Sequence, residues 1–246
     1  MSIYTLIVCY KSRPKLNDSI KALNSFGLKP YVLFQEWQDE YPDGDYYAFK
    51  SSTNLGCAGA RNKLFEIIEK EVRDNDYLFF IDDDAVLRDF DKSILDKNYE
   101  IIAGKSYLSD LSIERPAIPR SFNLDVNKPG IVYRVTGVCF FIKKECFVGL
   151  NGFYNYFPYG YEESDLSLKA YRSNIKIYYE PNISVVHHKE RQDWARVRME
   201  EHQYQIVSNK MLYLNRNFDF FGRILGKIYW TLRFKIRGYE INKIAR

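Results

Sequence analysis

The amino-acid sequence predicts an α/β fold, in which a mixed, mainly parallel central sheet is flanked by helices and followed by a helical extension at the C-terminus. Three observations support this prediction. Short apolar segments of strand length alternate with helical patterns as far as residue 81. One of these apolar segments ends in three consecutive aspartates. The chain from Trp194 onward has a helical pattern.

The first half of the chain alternates between strand and helix patterns. β-Branched and aromatic residues mark the strands, and apolar residues spaced by about one turn mark the helices. The predicted order is a strand at 3–10, a helix at 14–27, a strand at 31–34, a polar, turn-rich segment at 35–47, a loop that enters a helix at 51–62, and a strand buried on both faces at 77–81. Strands joined through helices form parallel sheets, and ligands collect at the carboxyl ends of such strands.

The second half of the chain surrounds a segment, 106–130, that contains three prolines and is predicted to be an irregular, mobile loop. Around it the sequence predicts a strand at 99–104, a strand pair or one long strand broken near Gly137 at 130–144, a short helix around Glu145, a helix at 160–174, strands at 175–181 and 183–188, and two helical segments that meet at 215–217. We therefore divide the chain into a main domain, 1–192, and an extension, 193–246.

Charge is unevenly distributed along the chain. The formal net charge is +4, but eight Lys/Arg and only two acids lie between Arg216 and the C-terminus. A near-neutral body with a basic tail argues against general nucleic-acid binding and indicates one local anionic partner. The four cysteines lack metal-binding spacing, so we expect free thiols. The sequence shows neither a signal peptide nor an apolar stretch long enough to span a bilayer, and we expect a cytoplasmic location.

Asp82, Asp83 and Asp84 follow the buried segment YLFFI. They could form an Asp-rich turn that also caps the next segment. They could also form a divalent-cation site, since Mg²⁺ and Mn²⁺ prefer carboxylate oxygens and are often shared with a diphosphate. A cation would relieve the repulsion among the neighbouring carboxylates.

Further carboxylates lie in the motif GYEESDL. Glu162, Glu163 and Asp165 could simply favour the N-terminus of a helix, where the macrodipole stabilises negative charge. One of them could also be a general base that takes a proton from a hydroxyl group. His187 and His188, at the end of a predicted strand, are either structural residues or ligands of the same metal ion.

The segment NLGCAGARN, 54–62, is a loop with two glycines that enters a helix. It either packs tightly against a strand or lets a phosphate or nucleotide approach its backbone closely. It matches neither GxxxxGK[ST] nor GxGxxG, which argues against ATP hydrolysis and dinucleotide binding.

Taken in order, these motifs resemble the inverting family-2 glycosyltransferases of GT-A fold. The shared features, over roughly residues 3 to 190, are a parallel α/β half, N-x-G-x-x-x-A-R-N, a strand ending in Asp-x-Asp, an apolar strand with Thr-Gly, an E-[DE]-x-D-L helix and a late histidine. The resemblance implies a GT-A (Rossmann-like) fold. It also implies transfer of a sugar from a nucleotide-sugar donor, with a UDP-sugar as the first expectation, to a saccharide or lipid-linked glycan acceptor.

The resemblance further implies a role for each matching residue. Asp84 binds Mn²⁺ or Mg²⁺ together with the diphosphate, and His187 or His188 completes the metal site. Glu163 is the base on the acceptor hydroxyl, with Asp165 as the alternative. The remaining matches form the nucleotide side of the site: Asp82, Asp83, Asn54, Gly56 and Arg61, with Ala60 and Asn62 in the same motif.

Two positions depart from the family pattern. Relatives carry an aspartate and a serine after the second strand, whereas this chain has FQEWQDEY, so another side chain must contact the nucleobase: Gln35, Glu36, Trp37 or Asp39. The sequence therefore leaves the nucleotide open. The position of the base holds Glu163 where most relatives have aspartate, and Asp165 stays an alternative for this reason.

The same residues suffice for this chemistry without the resemblance. A metal ion stabilises a diphosphate leaving group as a Lewis acid, a carboxylate deprotonates the acceptor hydroxyl, and direct displacement inverts the anomeric centre. Two other functions fit less well. A sugar nucleotidyltransferase needs a Gly-rich cationic loop after the first strand, whereas CYKSRPKLN has no glycine. A non-catalytic, membrane-associated scaffold would not need the acids at positions 82, 84 and 163.

Residues 221–237 have an amphipathic helical pattern. One side carries the apolar residues Phe221, Ile224, Leu225, Ile228, Leu232 and Ile236, and the other carries the cations Arg223, Lys227, Arg233 and Arg237. Such a helix either packs on the body or lies on an anionic membrane, with Tyr229 and Trp230 at the boundary. We favour peripheral attachment at the inner face of a membrane, because the acceptors that the resemblance implies are often lipid-linked.

Overall fold

The computed structural model of the protein describes residues 1–11, 14–114, 125–157, 160–188 and 196–236, with 196–206 described by their backbone alone. The strands within these residues are β1 Ile3–Tyr10, β2 Pro30–Gln35, β3 Tyr47–Ser51, β4 Tyr77–Ile81, β5 Ala85–Phe90, β6 Ile101–Leu108, β7 Gly130–Val132, β8 Cys139–Lys143 and β9 Ile177–His187. The helices are α1 Leu16–Ser25, α2 Gly56–Ile68, a 3₁₀ helix at Lys92–Lys97, α3 Lys144–Gly149, α4 Glu162–Arg172, α5 Arg196–Asn217 and α6 Phe220–Ile236.

The strands form one sheet in the order β3-β2-β1-β4-β8-β6-β9-β5, and β7 pairs with β9 outside this path. Neighbours from β3 to β4 are parallel, and so are β6 and β9. β8 runs antiparallel between β4 and β6, and β5 runs antiparallel to β9. The predicted α/β fold is confirmed, with a mixed central sheet that is parallel in its N-terminal half and flanked by helices.

Different helices cover the two faces of the sheet. One cluster of buried residues joins the first face to α2, α3 and α4, and a second cluster joins the other face to α1 and the 3₁₀ helix. Residues of β4 alternate between the clusters, with Leu78 and Phe80 in the first and Phe79 and Ile81 in the second. All of β4 is buried, as predicted. The residues that follow β4 therefore extend from a closely packed part of the molecule.

The structure contains two strands that the sequence pattern does not predict, β3 and β5. β3 begins at the last residue of the segment expected to be turn-rich and ends where the loop at 51–62 is expected to begin. Hydrophobic periodicity misses it because this edge strand has no buried residue. The strands expected at 175–181 and 183–188 are a single strand, β9. Pro181 does not end it, because the pairing of β9 with β6 shifts between Glu180 and Ser184, and this bulge accommodates the proline.

The segment between residues 99 and 144 also differs in detail from the prediction. The expected strand at 99–104 continues as β6 to Leu108. The expected pair at 130–144 is β7 and β8, and these strands pair with other strands rather than with each other. Residues 115–124 of the expected irregular loop lie outside the described residues. The four cysteines are free thiols, as expected.

The C-terminal helices are anchored to the rest of the chain by polar contacts between α5 and α4. Arg216 Nε and Asn217 Nδ2, at the end of α5, donate hydrogen bonds of 3.0 and 2.8 Å to Oδ1 of Asp165. Asp165 is fully buried. The expected domain boundary at residue 192 lies outside the described residues, and the division into 1–192 and 193–246 stays a prediction.

Helix α6 packs on α5 along one side and exposes the other. A Cβ atom at Gly226 would lie 2.8 Å from Leu214 Cδ2, so this glycine allows the close approach of the two helices. Phe234 is buried, whereas all six residues of the predicted apolar side are exposed: Phe221, Ile224, Leu225, Ile228, Leu232 and Ile236. Arg237 lies outside the described residues. None of the described helices combines the length and apolar character needed to cross a bilayer.

Candidate active site

The three aspartates form a turn between β4 and β5 at the carboxyl edge of the parallel strands. The amide of Asp82 donates to Val138 O, at 3.2 Å, and the amide of Ala85 donates to Asp82 O, at 3.1 Å. β5 begins at Ala85, which pairs with His187 at the end of β9. The antiparallel pairing of β5 and β9 therefore brings a histidine from the second half of the chain next to the aspartates.

Asp82, Asp84 and His187 form a candidate metal site. One ligand atom from each of these residues lies within 4.8 Å of the other two. His187 Nε2 is 3.2 Å from Asp84 Oδ1. Two carboxylates and one imidazole are a donor set that suits Mn²⁺ or Mg²⁺, so the residues fit the ion that the sequence predicts.

His188 lies outside this group. Side chains alternate across a strand, so neighbouring residues at the end of β9 face opposite ways. Nδ1 of His188 lies 3.3 Å from Ser109 Oγ, and only its backbone amide reaches the aspartates, by a hydrogen bond of 2.8 Å to Asp84 O. Of the two histidines, the structure therefore brings His187 to the candidate metal site.

Glu114 supports His187 from the side opposite Asp84. Nδ1 of His187 is 2.9 Å from Glu114 Oε2, which also accepts a hydrogen bond of 2.7 Å from Ser106 Oγ. Burial lowers the pKa of His187, but hydrogen bonds with Asp84 and Glu114 outweigh this effect and raise the pKa to about 9. Such a carboxylate partner fixes the orientation of the ring. The sequence gives no signal for Glu114, because it lies in a segment without periodicity.

Arg61 joins the aspartates to the acidic helix. Its side chain, on α2, is only 3% exposed. Nη2 lies 2.7 Å from Asp82 Oδ1 and donates a hydrogen bond of 3.0 Å to Gly137 O, while Nη1 lies 2.9 Å from Glu163 Oε1. Nη1 is also 3.8 Å from Glu162 Oε1. One buried guanidinium thus neutralises carboxylates from two distant segments of the chain.

The acids around Arg61 have unequal electrostatic environments. Burial raises the pKa of Asp82 to about 6, against the opposing effect of Arg61. Burial and the adjacent Glu163 raise the pKa of Glu162 well above its usual range. Oε2 of Glu162 has no hydrogen-bond partner among the described residues. Glu163 is more accessible, with 17% of its side chain exposed, and is therefore the better placed of the two glutamates to meet a ligand.

Gly137 occupies a position where no side chain fits. A Cβ atom there would lie 1.8 Å from Glu163 Oε1 and 3.2 Å from Arg61 Nη2. The glycine of the Thr-Gly motif therefore leaves the space in which Arg61 and Glu163 meet.

The loop before α2 is held by two side chains at the carboxyl end of β2. Gln35 Oε1 accepts a hydrogen bond of 2.8 Å from the amide of Leu55, and Glu36 Oε1 accepts one of 3.1 Å from the amide of Asn54. Asn54 Oδ1 accepts a hydrogen bond of 2.9 Å from the amide of Gly56, which has a φ of +70°. A left-handed backbone favours glycine here. Gln35 and Glu36, two of the four candidates for nucleobase contact, thus shape this loop.

Trp37 and Asp39, the other two candidates for nucleobase contact, line a cavity beside α1. Its volume is about 320 Å³, and its lining consists of Pro14, Leu16, Asn17, Trp37, Asp39, Glu40, Tyr41, Pro42 and Asp43. Asn17 Oδ1 and Trp37 Nε1 are buried without a hydrogen-bond partner among the described residues. Helix α1 reaches the aspartates through Ser19 Oγ, which donates a hydrogen bond of 3.4 Å to Asp83 O. The cavity therefore offers two buried polar atoms that have no partner among the described residues, and it shares helix α1 with the contact to Asp83.

Asp165 does not join this group. It is fully buried, accepts hydrogen bonds from Arg216 and Asn217 of α5, and lies 3.7 Å from Lys169 Nζ. These contacts with Arg216 and Asn217 hold α5 on α4. Among the two candidates for the base, Glu163 is the one that the structure joins to Asp82, through Arg61.

Comparison with known proteins finds a glycosyltransferase relative that covers most of the chain. No protein-family model matches the sequence. The rhamnosyltransferase WbbL of Escherichia coli (strain K12) is 26% identical, over 88% of this chain and 97% of its own length.

The structural comparisons identify the fold. A crystal structure of GalNAc-T7 with UDP, GalNAc and Mn²⁺ has a TM-score of 0.59 at 11% identity, and one of S. aureus TarS has a TM-score of 0.56 at 12% identity. The matches cover 87% and 91% of this chain but only 50% and 41% of those chains. A197 from STIV matches over 77% of this chain and 87% of its own, with a TM-score of 0.53 at 16% identity. The predicted GT-A fold, resemblance to family 2 and enzyme class are confirmed.

Removal of the Arg61 guanidinium should destabilise the protein strongly. Arg61→Met leaves Asp82, Glu162 and Glu163 facing one another without a cation, so we expect a loss of about 3 kcal/mol in the free energy of unfolding. Urea denaturation measures this loss, with Arg73→Met at an exposed position as the control. Equal stability of the two variants would show that the guanidinium does not hold the three carboxylates together.

Proposed function

We propose that this chain, which has the fold and the relatives of a family-2 GT-A glycosyltransferase, is a metal-dependent, inverting enzyme. It transfers a sugar from a nucleotide-sugar donor to a saccharide or lipid-linked glycan acceptor. The observation that carries the proposal is the convergence of Asp82, Asp84 and His187 at the carboxyl edge of the sheet, next to Glu163. This arrangement combines a cation site with an accessible carboxylate.

The donor side lies between the aspartates and α1. Asp84 and His187, with Asp82, would hold Mn²⁺ or Mg²⁺, and the ion would supply Lewis-acid stabilisation of the donor diphosphate. The cavity lined by Trp37 and Asp39 has the position and the unpaired polar atoms to receive the nucleobase. Asp83, whose backbone oxygen accepts a hydrogen bond from Ser19 of α1, is a further candidate for contact with the nucleoside. GalNAc-T7, which was crystallised with UDP and Mn²⁺, supports a UDP-sugar as the first donor to test.

The loop before α2 completes the donor side. Asn54 and Gly56 shape its backbone, which is the surface that a diphosphate or ribose can approach closely. Arg61, in the first turns of α2, stays buried under this surface and fixes the orientation of Asp82. Its part in donor binding is therefore to position a carboxylate.

The acceptor side is formed by Glu163. Its Oε1 is held by Arg61, and its side chain is partly exposed. In this position Glu163 takes the proton of the acceptor hydroxyl as that oxygen attacks the anomeric carbon. The attack comes from the face opposite the departing diphosphate, so a single displacement inverts the anomeric centre. Asp165 cannot take this role while it is buried against Arg216 and Asn217.

Helix α6 supports peripheral attachment to an anionic membrane surface. The apolar side of α6 is solvent-exposed, with Phe221 at 73%, Leu225 at 67% and Ile236 at 85% exposure. Arg223 and Lys227 belong to the cationic side of the same helix. A helix with an apolar side bordered by cations suits the interface of an anionic bilayer. Enzymes that use a lipid-linked acceptor need such a location, because the acceptor does not leave the bilayer.

Metal-dependent binding of a nucleoside diphosphate should require Asp84. We expect UDP, GDP, CDP or dTDP to raise the melting temperature of the wild type in the presence of Mn²⁺, because a ligand that binds only the folded state stabilises it. Asp84→Asn should abolish this increase.

The matched control is Asp74→Asn, which lies before β4 rather than after it. If no nucleoside diphosphate stabilises the wild type, the protein is better explained as a non-catalytic, membrane-associated scaffold. A preference for a nucleoside triphosphate would favour a sugar nucleotidyltransferase.

Turnover should require Glu163, while donor binding should not. Glu163→Gln removes the base, and we expect at least a hundredfold lower kcat with the metal-dependent stabilisation by nucleotide retained. Gly137→Ala should also lower kcat, because its Cβ atom would displace Glu163 Oε1. Glu66→Gln, with a side chain that is 66% exposed on α2, serves as the control. Full turnover of Glu163→Gln would place the base on another residue.

The apolar side of α6 should be necessary for membrane binding. We expect the double variant Leu225→Ser and Leu232→Ser to lose co-sedimentation with vesicles of phosphatidylcholine and phosphatidylglycerol, because it removes two apolar contacts on the same side of the helix. Leu111→Ser is the control, since Leu111 is equally exposed but lies outside α6. Undiminished co-sedimentation of the double variant would rule out α6 as the attachment site.

A further inference from the structure

Three cations that the proposed reaction does not use lie together beside the acidic helix. Arg134 follows β7, Lys210 belongs to α5, and Arg233 belongs to α6. They come from segments far apart in the sequence, so the tertiary structure alone brings them together. We refer to Arg134, Lys210 and Arg233 as the cationic cluster.

Lys210 is the centre of the cluster. Its Nζ lies 4.3 Å from the ring centroid of Tyr161, 5.3 Å from that of Tyr213 and 4.1 Å from that of Trp230. The guanidinium of Arg233 lies 5.4 Å from the same ring of Trp230. Aromatic faces attract cations, and these rings hold the two side chains near each other.

Arg134 borders the cluster on the side of α4. Its Nη1 donates a hydrogen bond of 3.4 Å to Ser164 Oγ, and its Nε is buried with no hydrogen-bond partner among the described residues. Among those residues, no carboxylate lies within 4.0 Å of a nitrogen of Arg134, Lys210 or Arg233. Burial lowers the pKa of Lys210, and the charges of Arg134 and Arg233 lower it further, to about 8. Repulsion within the cluster thus favours an anion between its members.

The cluster lies at the same turn as the proposed base. Tyr161, whose ring contacts Lys210, directly precedes α4, and Ser164, which contacts Arg134, directly follows Glu163. The acceptor must present its hydroxyl at Glu163. An anionic group elsewhere on the same acceptor molecule can therefore reach the cluster.

We propose that Arg134, Lys210 and Arg233 form a binding site for a phosphate or diphosphate ester group of the acceptor, separate from the site of the donor diphosphate. This proposal rests on the proposed function. Two guanidinium groups and one ammonium group match the charge and the several oxygen atoms of a diphosphate better than those of a single carboxylate. Arg233 lies on the helix that carries the proposed membrane surface, and Arg134 contacts Ser164, the residue after Glu163, so the site has a contact with each of these two segments.

Titration with inorganic pyrophosphate in EDTA tests the site without the metal-dependent donor site. We expect calorimetry to show binding to the wild type and to Asp84→Asn alike. The double variant Arg134→Gln and Lys210→Gln should bind at least tenfold more weakly, and Lys210→Arg should keep most of the affinity. Lys63→Gln, at an exposed position on α2, is the control. Wild-type affinity in the double variant, or no binding to the wild type, would overturn the proposal.

Two further measurements identify the source of the phosphate and separate this proposal from the proposed function. Stabilisation of the double variant by Mn²⁺ and nucleotide should equal that of the wild type, which shows that the variant is folded and that its donor site is intact. Binding of the double variant to vesicles with and without phosphatidylglycerol should also be unchanged. A loss of vesicle binding in parallel with the loss of pyrophosphate binding would assign the cluster to a lipid headgroup and refute an acceptor site.

Discussion

The candidate site depends on the ion pairs that the buried guanidinium of Arg61 forms with two carboxylates. This guanidinium holds Asp82, from the end of β4, and Glu163, from the start of α4, at hydrogen-bond distance on opposite sides of one group. These carboxylates would otherwise repel each other in a poorly solvated region. The arrangement also requires Gly137, because the backbone there approaches both Arg61 and Glu163 more closely than any side chain would allow. The proposed donor and acceptor sides are therefore joined by one ionic contact, and their separation is fixed.

A second constraint is the pairing of β5 with β9, which attaches the late histidine to the aspartate turn. His187 lies between Asp84 and Glu114, so one ring connects the end of β4, the end of β9 and the segment after β6. Helices α5 and α6 add a further layer on the side of α4. Asp165 anchors α5, and the aromatic contacts of Lys210 hold α5 and α6 near the turn of Glu163. The proposed phosphate site therefore contacts both α6, which carries the proposed membrane surface, and the start of α4, which carries the proposed base.

Much of the fold could be predicted because its elements are defined by local periodicity. β1, β4 and the helices α1, α2 and α4 carry buried residues at the spacing of their own secondary structure, which a sequence displays directly. β3 and the continuity of β9 could not be predicted in this way. β3 has no buried residue, and a proline in β9 is tolerated only because the neighbouring strand leaves room for a bulge. Both depend on a partner strand rather than on local pattern.

For the site, the sequence by itself determined which chemistry is available: consecutive carboxylates after a buried strand, an acidic helix start, paired histidines and an arginine in a glycine-containing loop. Only the tertiary structure decided which of these side chains come into contact. His187 rather than His188 lies beside Asp84, because side chains alternate along β9. Asp165 is bound to Arg216 of α5 and does not reach the site. Glu114 and the cationic cluster gave no signal in the sequence, since each depends on contacts between segments far apart in the chain. Periodicity and motif spacing report short-range order, whereas charge pairing across a sheet exists only after the chain has folded.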